Sequence, residues 1–174
     1  MGGPGSPQGV DAARELLDRA RVRYEVVEHD ETFRALDEAQ ATGVEPREAA
    51  KTVALRDHDA YVLAVVPANR RLDVARARAL IGASRHLRLA TEEELARDFP
   101  EFEVGALPPL APHATPEIVD VHLLYRERIV CSAGDHRHAV RLDPRDLLRV
   151  CEPRVGDVCE REEGASPFRD LPHV

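Results

Sequence analysis

Hydrophobic positions recur three and four apart in VDAARELLDRARV, where Val10, Ala13, Leu16, Leu17 and Ala20 share one face of a helix over residues 10–21. The period shortens in YEVVEH, a strand centred on Val26 and Val27. Residues 35–42 are good helix formers stopped by Gly43, and Pro46 opens one further helical turn. The clearest signal follows. KTVALRD and YVLAVVP are β-rich runs divided by the polar HDA, which predicts a hairpin. YVLAVV is almost unbroken in apolar residues, so its strand should be buried on both faces.

Downstream, Asp73 and Gly82 bracket a helix in DVARARALIG. LRLA reads as a short strand, and Thr91 with Glu94 gives a capping box at the head of TEEELARDF. Residues 100–117 break the pattern, because five prolines and Gly105 predict a rigid loop instead of an element. Strands are expected at about 118–124, 128–133 and 138–142. DPRDLLRV predicts a closing helix, capped by Asp143 with Pro144 in its first turn. The order predicts an α+β domain over residues 10–152, with helices around a mixed, mostly antiparallel, barrel-like sheet. Residues 1–9 are expected to be a flexible N-terminus and 153–174 a weakly ordered tail.

Composition narrows the function. Hydrophobic residues make up 43% of the chain and aromatic residues 4%, so the core is mainly aliphatic. No apolar run approaches the ~20 residues that span a bilayer. MGGPGSPQG also lacks the basic and apolar regions of a secretory signal, so a cytoplasmic protein with no membrane partner is expected. A net charge of −8 argues against nucleic-acid binding by bulk attraction. Arg70, Arg71, Arg76, Arg78, Arg85 and Arg88 could still form a local basic patch, or a solvated face paired with nearby acids. Cys131, Cys151 and Cys159 are odd in number and widely spaced, as reduced thiols would be.

Lys51, in AAKTVAL at the mouth of the predicted hairpin, is the only lysine of the chain. It is either a stray surface charge or a group chosen for what guanidinium cannot do, being compact, flexible and able to shift its pKa on burial. In VGALPPL, Gly105 precedes Pro109 by four residues. Such a loop can hold backbone N–H groups toward developing negative charge, or it can be a plain connector. VCSAG adds Ser132 and Gly134, but Ser132 lacks the G-x-S-x-G elbow of a serine nucleophile. Cys131, Asp135, His136 and His138 can be read as metal ligands, yet their irregular spacing completes no tetrahedral set. Exposed turn histidines are the better reading there, and neither metal nor cofactor is expected.

Together and in this order, YEVVEHD, AAKTVALRD, YVLAVVPANRRLDVARARALIG, LRLATEEEL, VGALPPL, VCSAG and DPRDLLRV resemble the YbaK / prolyl-tRNA-synthetase-associated domain family of aminoacyl-tRNA deacylases. The resemblance runs from about residue 10 to 150. It implies a compact α+β domain around a mixed, barrel-like sheet. It also implies hydrolysis, in trans, of the ester on a mischarged tRNA, here tRNA(Pro) carrying a small amino acid such as Ala or Cys. The family pattern casts Lys51 as the holder of the terminal adenosine or its phosphate and Gly105 as the amide donor to the ester carbonyl. Pro109 then walls the amino-acid pocket, Thr52 is a hydrogen-bonding neighbour, and Ser132 and Gly134 border the site. Water activation by the substrate's own ribose hydroxyl would account for the lack of a visible general base.

Three positions depart from the family pattern. Val27 stands where cysteine-specific members often carry tyrosine, DHRHA replaces a K-R-G-L-D-like stretch, and Ala111 replaces a glycine. The implied partners are aminoacyl-tRNA, bound weakly by so acidic a chain, and prolyl-tRNA synthetase or an elongation factor to deliver it. The alternative is a non-catalytic binding module of the same fold, for a nucleotide, an aminoacyl derivative or a protein partner.

Overall fold

The runs AAKTVALRD and AYVLAVVP pair as an antiparallel hairpin, from Ala50 opposite Pro67 to Asp57 opposite Ala60. His58, in the two-residue turn, takes a φ of 54°, as the tight turns that suit twisted strands require. The computed structural model describes residues 7–161. Before the hairpin come α1 (Val10–Ala20), β1 (Tyr24–Glu28) and α2 (Ala35–Thr42). The hairpin itself is β2 (Ala49–Asp57) and β3 (Ala60–Pro67). After it come α3 (Val74–Ile81), β4 (Arg88–Leu89), α4 (Glu92–Asp98), β5 (Glu117–Asp120), β6 (Ile129–Ser132), β7 (His138–Leu142), α5 (Asp146–Cys151) and β8 (Arg154–Gly156).

The sheet runs β1-β7-β6-β2-β3-β5-β8, with β4 on β2. It is the mixed sheet of an α+β fold. The β1–β7, β6–β7, β2–β3 and β2–β4 pairs are antiparallel, and β2–β6, β3–β5 and β5–β8 are parallel. β3 is buried on both faces, as its apolar run predicts. Val65 joins a core with α1, β6, β7 and α5, whereas Ala64 and Val66 join another with α3. Leu63 joins a third with Phe99, Phe102 and Leu107.

The local signals hold at most helix ends. The Asp73 carboxylate accepts from the N–H groups of Ala75 and Arg76, and Thr91 with Glu94 closes a full capping box. Three expectations change. The strand expected over 118–124 stops at Asp120, because the Asp120 carboxylate accepts from His122 N–H and starts a 3-10 turn over Val121–Tyr125. The closing helix starts at Asp146; Asp143 and Pro144 form the turn before it, where Asp143 accepts from Arg145 N–H. Residues 154–156 form β8 beside β5, and Cys159 bridges to Leu72, so this part of the expected tail belongs to the folded unit. Val158 and Cys159 are buried against α3, which gives the segment its hold. Residues 162–174 and 1–6 lie outside the described residues. Gly9 is tied down by its N–H to the Glu101 carbonyl at 2.7 Å.

The 132–136 turn and the proline-rich loop are stitched together: Glu103 N–H donates to Gly134 O, and Gly134 N–H donates to Ala106 O. Gly134 has a φ of 92°, and a Cβ there would collide with the Gly9 carbonyl and touch the Phe102 ring. Gly134→Ala should therefore lower stability by about 2 kcal/mol or more, read as the urea midpoint. On β5, opposite Leu63 of β3, Glu117 is buried and accepts from Ala111 N–H at 2.7 Å. Burial pushes its carboxyl up to about 7 from an ordinary 4.5, against the opposing Ala111 and Cys151 hydrogen bonds. The folded state thus keeps a proton that the unfolded chain has already lost. Stability should fall as pH rises from about 4.5 through about 7, by on the order of 3 kcal/mol in full. Glu117→Gln should flatten that part of the curve, measured by urea unfolding at pH 4.5, 6 and 8.

Candidate functional site

β2 and β6 pair in parallel through only two positions, Ala49 with Val130 and Ala50 with Cys131. The next pair would be Lys51 with Ser132, and there the strands part. The gap is closed on one side by α2, which brings Glu38, and by the segment before it, which brings Thr32, Phe33 and Arg34. Gly105 and Leu107 of the proline-rich loop form another wall, and His136 a further one. Lys51, Thr52 and Ser132 complete a narrow pocket of about 40 Å³.

The Lys51 side chain is half-buried and makes no hydrogen bond or ion pair among the described residues. Burial holds its pKa below the ordinary 10.5, and the positive charge of Arg71 adds to the effect. A half-buried ammonium with no protein partner is primed for an anionic or carbonyl group from outside. Gly105, which lines the same pocket, has a φ of 88°, a conformation that β-carbon-bearing residues rarely adopt. A Cβ there would project to 3.5 Å from His136 Cε1, into the lining. Its N–H takes no partner among the described residues.

Glu38 is 3% exposed and closes the pocket from the helix side. Its Oε2 lies 3.3 Å from His29 Nε2, itself on a buried side chain. Ser132 Oγ donates toward both carboxylate oxygens at 3.4 and 3.5 Å. Burial raises the Glu38 pKa, and the neighbouring His29 pulls it back. The tautomer of His29 follows from its other nitrogen. Nδ1 sits 2.6 Å from the Asp30 carbonyl, which only accepts, so Nδ1 carries a hydrogen. His29 Nε2 is buried and makes no hydrogen bond of ordinary geometry, with Glu38 Oε2 beside it at 3.3 Å.

Of the residues singled out from the sequence, Lys51, Thr52, Gly105 and Ser132 meet at the pocket. Pro109 is buried away from the lining, and its carbonyl accepts from the Cys151 thiol. Gly134 is buried one turn away and fixes the loop that carries Gly105. Val27 lies on β1 opposite Ala139, off the lining. Glu38, Phe33 and Arg34 line the pocket unforeseen, and His29 backs it. His136 is no exposed turn histidine: its side chain is 12% exposed, and Nε2 donates to Val104 O at 2.9 Å. The cysteine–histidine set does not converge. Cys131 is buried with its thiol toward Val140 O, and His138 bonds Asp135. Burial pushes all three thiols up, far from thiolate character.

Among the described residues no helix is long and apolar enough to cross a membrane. One group of metal-ligating side chains does converge, Asp120, His122 and Asp157, beside β8 and apart from the pocket. Each of its acids is already engaged, Asp120 by Val158 N–H and His122, and Asp157 by Arg76.

A proline–tRNA ligase of Thermosipho melanesiensis is 29% identical over 117 residues, which is 67% of this chain and 20% of the ligase. The chain thus spans about a fifth of that relative. Among solved structures, a candidate trans-editing enzyme for prolyl-tRNA synthetase superposes with a TM-score of 0.77 at 26% identity, covering 90% of this chain and 100% of its own. A hypothetical protein of known structure gives 0.77 at 25% identity, over 86% of this chain and 99% of its own. Residues 29–150, from the histidine behind the pocket to the end of the closing helix, match the model of the aminoacyl-tRNA editing domain. The chain belongs to that family, the YbaK-like family its motifs resemble.

Proposed function

We propose that this chain hydrolyses the ester of mischarged aminoacyl-tRNA in trans, with tRNA(Pro) carrying a small amino acid such as Ala or Cys as substrate. The observation that carries the reading is the chain's only lysine, its side chain without a hydrogen-bond or ion-pair partner among the described residues, in a narrow pocket that Gly105 also lines. Family membership and the likeness to a candidate trans-editing enzyme for prolyl-tRNA synthetase support it. A cavity volume of only about 40 Å³ supports a small amino-acid side chain.

In this reading Lys51 holds the terminal phosphate or adenosine and fixes the ester over Gly105. Water attacks the ester carbonyl carbon, and the carbonyl oxygen becomes an oxyanion held by the Gly105 N–H. The water proton passes to the vicinal ribose hydroxyl, which gives up its own toward the departing oxygen. The carbon–oxygen bond to the ribose then breaks, leaving a free amino acid and an intact 3′-terminal diol. An aminoacyl ester is reactive enough for positioning and oxyanion stabilisation to carry the rate. Phe33 stands at the rim, 67% exposed and 4.8 Å from the His136 ring, and offers a face for the terminal adenine. A synthetase or elongation factor would make up for the weak affinity expected of a chain with charge −8.

Deacylation of tRNA(Pro) charged with Ala, Cys, Ser or Thr tests this directly. Lys51→Ala should lower kcat/KM by about 100-fold or more with the unfolding midpoint preserved, and Lys51→Arg should not restore it, because the wider guanidinium fork does not fit the same point. Near-normal turnover in Lys51→Ala would remove the assignment. Saturable binding of a non-hydrolysable aminoacyl-adenosine with no turnover of any ester would favour the binding module. Phe33→Ala should raise KM for the tRNA about 10-fold while changing kcat far less.

A further inference from the structure

The deacylase reading leaves one end of the substrate without a partner. An aminoacyl ester carries an α-ammonium one carbon from the reacting carbonyl, and any site that closes on that carbonyl must also desolvate or pair the cation. Lys51 and Arg34 have the wrong sign, and Thr52 and His136 offer no fixed negative charge. Glu38 is the one carboxylate among the described residues lining the pocket. It is 3% exposed, so it was not placed there as a solvated surface charge.

We propose that Glu38, with Ser132 beside it, receives the α-ammonium group of the aminoacyl ester. This rests on the deacylase reading and names the group of the substrate that the pocket recognises. Three features of the site fit the role. Glu38 lines the pocket, and its Oε2 lies 3.3 Å from Nε2 of the buried His29 side chain. Among the described residues no Lys or Arg pairs with Glu38, whose side chain has His29 and Ser132 beside it, so an incoming ammonium meets no permanently charged competitor. Ser132 Oγ, at 3.4 and 3.5 Å from the carboxylate oxygens, is held only loosely and can turn its lone pair to a second ammonium hydrogen. Lys51 and Glu38 then divide the substrate between them, the anionic nucleotide end to the lysine and the cationic amino-acid end to the glutamate. The pocket would select for a free α-amine, which separates an aminoacyl ester from an N-acylated one of the same side chain.

The experiment compares three tRNA esters alike in side chain: alanyl, lactyl, in which a hydroxyl replaces the ammonium, and N-acetylalanyl. Each enzymatic rate is divided by the spontaneous hydrolysis of the same ester, because the ammonium itself activates the carbonyl. The wild-type chain should favour alanyl over lactyl by roughly 10- to 100-fold in corrected kcat/KM, the range expected of one charge-assisted hydrogen bond, and should discriminate against N-acetylalanyl further. Glu38→Gln should lose most of that preference by slowing alanyl turnover, while lactyl turnover stays within a few-fold of wild type; Glu38→Asp should recover part of it. Equal corrected rates for alanyl and lactyl esters in the wild type would overturn the proposal while leaving the deacylase reading in place, and that comparison needs no variant to fold. An equal loss on both esters in a folded Glu38→Gln would also overturn it, in favour of a purely structural glutamate. Turnover of none of the esters would remove the deacylase reading and this assignment with it.

Discussion

The parting of β2 from β6 after a single short parallel ladder is the constraint on which the rest of the site depends. Ala49 and Ala50 are small enough to let the two strands and α2 meet closely, with Ala49 packed against Ala39. One residue later Lys51 and Ser132 stand at the next positions, where each keeps its pairing to the other neighbour, Val66 and Ala139, but the β2–β6 ladder has ended. Beyond that point Lys51, Thr52 and Ser132 line the pocket. Everything polar in the pocket reaches it from an element anchored elsewhere: α2 by Ala39, the proline-rich loop by the Gly134 stitches, and β2 by its full-length pairing with β3. The site is therefore narrow because its walls are independent elements drawn together, not because one loop folds over it.

That construction sets the electrostatics. A lysine and a glutamate line the same pocket, yet the glutamate takes a histidine as its close partner and the lysine takes none among the described residues. Direct pairing of the two would have satisfied each with the other and desolvated both. Their separate arrangement leaves a lysine and a carboxyl on one cleft, each with room for a group from outside. On the proposed function such a cleft would complement a ligand whose charges are likewise split, with little reorganisation on binding.

The sequence made some of this legible and hid the rest for identifiable reasons. Lys51 stood out because arginine otherwise supplies all the permanent positive charge, and Gly105 because prolines surround it. The hairpin and most helix caps are local signals, spelled within a few residues of where they act. Glu38 and His29 were hidden because each looks ordinary in place: a glutamate in an amphipathic helix and a histidine after a strand. Only the path of the chain from β1 into α2 brings them within 3.3 Å. His136 read as an exposed turn residue, since nothing local reveals that the proline-rich loop, some thirty residues earlier, covers it with the Val104 carbonyl. β8 was hidden by its length and polarity. Its hold comes from Val158 and Cys159 packing on α3, and a three-residue strand carries no period to read.

The acidic surface and the cationic pocket then belong to one argument. A chain with charge −8 repels a polyanion at long range, whereas Lys51, with Arg71 close enough to depress its pKa, presents positive charge only at short range. Attraction thus begins only once the end of a nucleic acid already lies at the pocket, within a Debye length of about 8 Å at physiological salt. On the proposed function, such a protein would recognise the aminoacylated terminus of a tRNA and not its length. Weak affinity would then serve the task, because tight binding to the tRNA body would sequester every tRNA regardless of what it carries.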